Sequence, residues 1–114
     1  MVSITDLTTR QPIADQATVA GSYWSRFRGL MLRRSIAPGE ALDIHPCGSI
    51  HMMFMLFPID AIFYDANLRV TKVSRRVLPW IGLAFGGRGA KGVIELPVGA
   101  AAGVEPGHQV AITA

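Results

Sequence analysis

The chain has 114 residues, half of them hydrophobic, with a mean hydropathy of +0.34. That length fits one domain, residues 1–114, and the composition excludes a disordered chain. The net charge is +3. No apolar run reaches the roughly 18 residues a membrane-spanning helix needs, because the longest, residues 50–62, is interrupted by His51, Pro58 and Asp60.

The first six residues, Met1-Val2-Ser3-Ile4-Thr5-Asp6, have neither a basic region nor an apolar stretch of the signal-peptide kind. A cytoplasmic location is favoured, although an exported form trimmed of its leader would read the same. Residues 2–9 alternate loosely and read as an edge strand. Gln11-Pro12 ends it, and residues 17–20 read as a second short strand. Residues 22–34 read as the one helix. Ser22 caps it, Trp24, Phe27 and Met31 recur at helical spacing, and Arg33 and Arg34 fall where the helix dipole favours cations. Pro38-Gly39 stops it.

Residues 41–45 read as a strand. Residues 49–57, apolar on both faces, read as a central strand, with a buried helix as the alternative by length. After Pro58, residues 60–65 and 68–74 alternate clearly about the turn Asp65-Ala66-Asn67 and predict a hairpin. Residues 78–91 hold Pro79, Gly82, Gly86, Gly87 and Gly89 and read as loop. Residues 92–96 and 107–112 are the last two strands, with a turn and a short helical piece between them. This pattern predicts a mainly β fold: a compact antiparallel β-barrel or sandwich with one short α-helix, about residues 22–34, packed on it.

Several short stretches occur in a characteristic order: Arg28-Gly29-Leu30-Met31, Cys47-Gly48-Ser49-Ile50-His51, Phe54-Met55, Phe57-Pro58-Ile59-Asp60, Phe63, Val93-Ile94-Glu95-Leu96-Pro97-Val98-Gly99, and Gly107. The ordered set, from about residue 20 to 112, resembles the uncharacterised prokaryotic family called Domain of Unknown Function 192. The resemblance implies a compact, mainly β domain and carries no reaction with it. The chain departs from the family's pattern at His108, where an acid is common, and at Ala66-Asn67-Leu68, where a turn glycine is common.

Cys47, His51 and Asp60 suggest a nucleophile, base and orienting acid. On an extended chain four residues span roughly 13 Å, so Cys47 and His51 share a face without touching, and the cysteine reads as buried and inert. The same separation argues against a metal on His51, Asp60 and Glu95 with His45 or His108 as a fourth ligand. No cofactor motif is present. Asp60 and Glu95 each sit among apolar neighbours, and a buried carboxylate must be paired, hydrogen-bonded or neutral. Arg26 or Arg28 is the natural partner, so Arg26, Arg28, His51, Asp60 and Glu95 form the candidate binding pocket.

From Arg69 to Lys91 the chain carries Arg69, Lys72, Arg75, Arg76, Arg88 and Lys91 and no acid. Arg88, Gly89 and Lys91 form a candidate anion-binding loop. It is not a Walker loop, because Gly92 follows the lysine. The favoured function is a non-catalytic domain that binds an anionic small ligand or a protein partner. The alternatives are a small hydrolase-like enzyme using His51 with Asp60 or Glu95, and an anion or nucleic-acid binder through residues 69–91. Nucleic acid is disfavoured, because no recognition motif accompanies the charge.

Overall fold

Turn chemistry at Asp65 sets up the best-defined hairpin. The Asp65 carboxylate accepts hydrogen bonds from the backbone N–H groups of Asn67 and Arg69, and Leu68 takes a left-handed φ of 61°. The strands on either side pair antiparallel, as the alternation predicts. This computed structural model describes residues 2–20, 34–52 and 55–114, and only the backbone of Ala20 and His51. The expected helix at 22–34, with Arg26 and Arg28, lies outside the described residues apart from Arg34.

Nine strands are present among the described residues: β1 (Val2–Asp6), β2 (Gln11–Ala20), β3 (Glu40–Ile44), β4 (Ser49–His51), β5 (Ile59–Tyr64), β6 (Val70–Val77), β7 (Leu83–Phe85), β8 (Gly92–Leu96) and β9 (Val110–Thr113). Seven form one sheet in the order β6-β5-β8-β3-β2-β1-β9, and β4 pairs with β7 in a separate two-stranded sheet. The large sheet curls until its ends meet. Arg69 bridges to Gln109, the Val70 N–H donates to the His108 carbonyl at 2.8 Å, and the Val110 N–H donates to the Leu68 carbonyl at 2.9 Å. The fold is mainly β and barrel-like, with its edge strands joined to one another.

β3, β5 and β8 are buried almost throughout, so each has two apolar faces. Facing residues on paired strands point the same way and successive residues point oppositely. One face therefore carries Ala41, Ile62, Tyr64, Ile94 and Leu96, which pack inside the barrel against Ile4 and Val110. The other carries Leu42, Ile44, Ala61, Phe63 and Val93, which pack against Ile50, Met52 and Ala84 of the β4–β7 layer.

Several expected elements differ. β1 is an interior strand, flanked by β2 and β9, instead of an edge. β2 starts at Gln11 and runs through Pro12, which faces Thr5 in an irregular register. Its pairing with β3 is parallel, from Gln16↔Glu40 to Ala20↔Ile44, in an otherwise antiparallel sheet. The expected central strand at 49–57 is only the three-residue β4. Beyond it the Met52 carbonyl accepts from both the Met55 and the Trp80 N–H groups. Ile50, Met52 and Met55 are buried by layering over the barrel, while Leu56 is exposed. The expected loop at 78–91 contains β7. The helical piece near 100–104 is a run of successive tight turns, with N–H to C=O bonds from Ala100 to Pro97, Ala102 to Gly99 and Val104 to Ala101.

Candidate functional site

Asp60 and Glu95 lie on neighbouring strands but on opposite faces of the sheet. Asp60 faces Leu96 and Glu95 faces Ala61, and Leu96 and Ala61 belong to the inner and outer cores respectively. The two acids therefore do not line one pocket. Asp60, 1 % exposed, is fully engaged inside the barrel. Its carboxylate accepts from the Arg76 N–H at 2.9 Å, the Gly99 N–H at 2.9 Å and the Ala101 N–H at 3.2 Å. It clamps β6 and the 97–104 turns to β5.

Glu95 sits beneath the β4–β7 layer, on the side of the sheet where the His51 backbone runs. Burial raises its carboxyl to about 7, and no hydrogen bond or opposing charge from the described residues pulls it back. It is a neutral-leaning acid in an apolar layer. The glycine-rich loop links β7 to β8. The Ala90 N–H bonds to the Gly87 carbonyl and the Lys91 N–H to the Tyr64 carbonyl, so neither is turned toward a bound anion. Lys91 instead lines a different place.

That place is the mouth of the barrel, where β2, β3, β5 and β9 end and β8 begins. A groove of about 460 Å³ opens there. Its walls are apolar, from Val19, Leu68 and Ile112, and its polar groups are Asp43, His45, Tyr64, Lys91 and Asp65, whose carboxylate already accepts from the Asn67 and Arg69 N–H groups. Asp43, 1 % exposed, points inward from β3. The Tyr64 hydroxyl donates to its Oδ1 at 2.5 Å, and His45 Nδ1 stands 3.5 Å from its Oδ2. Burial raises the Asp43 carboxyl above its ordinary range, opposed by the bonds from Tyr64 and His45. Burial, and then the Asp43 carboxylate, push the Tyr64 phenol strongly up, so it stays a donor. A Cβ on Gly92 would meet the Tyr64 ring and hydroxyl at 2.3 Å, so the bare glycine seats the tyrosine over β8.

A second titratable pair fastens the chain ends. His108 Nδ1 lies 2.8 Å from Asp6 Oδ2, and Asp6 Oδ1 accepts from the Thr8 and Thr9 N–H groups. Burial works to raise the Asp6 carboxyl, but these bonds outweigh it and hold it below its ordinary range. His108 thus serves a seam rather than a site. Among the described residues no group of three or more His, Cys, Asp or Glu side chains is placed to hold a metal, and no helix is long and apolar enough to cross a membrane.

The sequence reading weighed His45 only as a fourth metal ligand and passed over Asp43 and Tyr64. The signal was available. Ala41-Leu42-Asp43-Ile44 shows the same lone carboxylate among apolar neighbours that singled out Asp60 and Glu95. Of the expected pocket, Arg26 and Arg28 lie outside the described residues, and of His51 only the backbone is described.

The barrel, its covering layer and the ordered motifs define a class of small β domains, and the comparisons give that class a name. The model of the family DUF192, described as uncharacterized ACR, matches residues 4–112. The chain belongs to this family, whose function is unknown. It is 41 % identical over 88 residues to a UPF0127 protein of Thermococcus sibiricus, a match covering 71 % of this chain and 54 % of the relative. The chain thus spans about half the length of that relative. Two crystal structures share the fold. A protein of unknown function from Novosphingobium aromaticivorans superposes with a TM-score of 0.81 at 22 % identity, covering 96 % of this chain and 82 % of that one. A Sinorhizobium meliloti protein gives 0.81 at 21 % identity, covering 97 % and 91 %.

Proposed function

We propose that this domain is a non-catalytic binding module that takes a small amphipathic molecule into the mouth of its barrel. The supporting observation is the groove of about 460 Å³ in which Asp43, His45, Tyr64 and Lys91 converge on apolar walls. Ligand sites are typically apolar concavities of this size with a few converging polar groups, and barrel mouths are a common place for them. The buried groups Asp43 and Tyr64 already satisfy one another, and His45 engages Asp43 from the rim. Such an arrangement suits fixed recognition better than proton turnover. Lys91 and half-exposed His45 stand at the rim and favour an anionic head group, with the apolar body against Val19, Leu68 and Ile112.

A thermal-shift screen of amphipathic carboxylates, phosphates and sugars tests this. A ligand at a hundred times its Kd adds about 2.7 kcal/mol of stability. Hits should lose their shift in Lys91→Ala, an exposed change that leaves the unliganded melting point close to wild type, and in His45→Ala, whose own unliganded melting point is the baseline because it removes a partner of buried Asp43. Hits indifferent to both changes, or none across the screen, would sink the proposal.

A further inference from the structure

The two-stranded sheet leaves one side of β7 open, and its hydrogen-bonding pattern says which groups face out. The Met52 N–H donates to the Gly82 carbonyl and the Gly86 N–H to the Gly48 carbonyl. In an antiparallel pair such bonded positions alternate with unbonded ones. With Ile50 opposite Ala84, the Gly82 carbonyl, Ala84 and the Gly86 N–H turn toward β4 and the segments that flank it, while the Gly82 N–H donates to the Leu78 carbonyl. Leu83 and Phe85 turn theirs the other way. No strand pairs with that side among the described residues.

The side chains along this edge are also unusual for a free strand. Leu83 is 64 % exposed, Phe85 59 % and Ile81 78 %. Free edges are normally blunted by charge or proline against stray pairing, and no charged residue lies between Val77 and Gly87. Beside the edge runs a groove of about 360 Å³ between β6 and the turn that leads into β7. It has an apolar floor including Leu78 and Ile81, and Arg75 and Arg76 on its rim, with no acid among its lining residues. Arg75 is committed to the Ala101 and Val104 carbonyls and to Glu105. Arg76 is exposed, and its guanidinium has no partner among the described residues.

We propose that the free edge of β7 and the groove beside it dock an extended, acidic segment of a partner polypeptide by strand addition. Backbone groups of Leu83 and Phe85 would continue the sheet, as in other edge-strand recognition. Apolar side chains of the segment would lie on Ile81, Leu83 and Phe85, and a carboxylate would meet Arg76. Charge selects this occupant over a second copy of the chain. From Ala66 to Ile94 there is no acid at all, so two copies joined edge to edge would set arginines against arginines.

The test uses the whole chain and a fluorescein-labelled octapeptide alternating Glu with Val, followed by anisotropy. The peptide should bind, with affinity falling as salt rises. A Lys-for-Glu peptide and a peptide N-methylated at alternate positions should each bind about tenfold more weakly or not at all. Arg76→Glu should weaken binding by a similar factor. Leu83→Pro removes an outward-facing N–H that β4 does not use, and should abolish binding. Arg76→Glu is the independent variant, since its backbone pairing is untouched. Equal binding of the Lys or N-methylated peptide would overturn the proposal. So would dimerisation by sedimentation that Leu83→Lys abolishes while no peptide binds, or binding confined to anionic lipid vesicles.

Discussion

The two sheets of this domain treat their borders in opposite ways. The large sheet hides its ends, because β6 and β9 meet through Arg69–Gln109 and the flanking backbone bonds. The small one ends on Leu83 and Phe85, bare and apolar. Their carboxylates divide likewise: Asp60 inside the barrel has three N–H donors, whereas Glu95 beneath the small sheet has none among the described residues. The contrast is between two carboxylates on the two faces of one sheet: the inner one is satisfied by backbone donors, and the outer one lies in an apolar layer where burial favours its neutral form.

Three measurements would break or sharpen this contrast. The largest effect should come from Asp60→Ala, which strands three N–H groups in the core. At about 1–3 kcal/mol for a buried unsatisfied group, partly relieved by relaxation, the loss should be about 4 kcal/mol by urea denaturation. A loss below about 1 kcal/mol would mean that the clamp is dispensable. Next comes Glu95. Its carboxyl titrates near 7 in the folded chain against an ordinary 4.5, so the folded chain keeps a proton that the unfolded chain has released. That contribution is intact below 4.5 and is lost as pH rises through 7, costing about 3 kcal/mol at pH 8. Glu95→Gln should therefore be more stable than wild type at pH 8 and converge with it at pH 4. A wild-type stability flat from pH 5 to 8 would show that a cation holds the carboxylate. The smallest effect belongs to Leu83→Lys and Phe85→Lys, each expected within about 0.5 kcal/mol of wild type. A loss of several kcal/mol would mean that this edge is covered in the folded chain.

Local patterns were legible in the sequence and layering was not. The hairpin expected at residues 60–74 is written in the turn Asp65-Ala66-Asn67 and the alternation of residues 68–74, and the strands at 40–44 and 92–96 in short apolar runs. The parallel β2–β3 pairing rests on residues far apart in the chain, and no local signal encodes it. An apolar stretch such as Ile50-His51-Met52 looks the same whether it is a central strand or a flap lying over one. The candidate site failed for a related reason. Asp60, Glu95 and His51 were grouped because each is out of place among apolar neighbours, but period-two alternation sends Asp60 and Glu95 to opposite faces once their register is known. Asp43 and Tyr64 meet only because β3 and β5 both flank β8.

The β1–β9 pairing has one more consequence. Ser3 lies opposite Thr113, and the His108–Asp6 contact fastens the same seam. Facing residues of antiparallel strands are about 5 Å apart, so in an engineered form a linker of a few glycines could join residue 113 back to residue 3. The chain could then be opened at the exposed turn of residues 87–89, giving a circularly permuted protein with the same barrel and its ends beside β7. In that form a tethered acidic peptide could be presented to the β7 edge from the chain's own terminus.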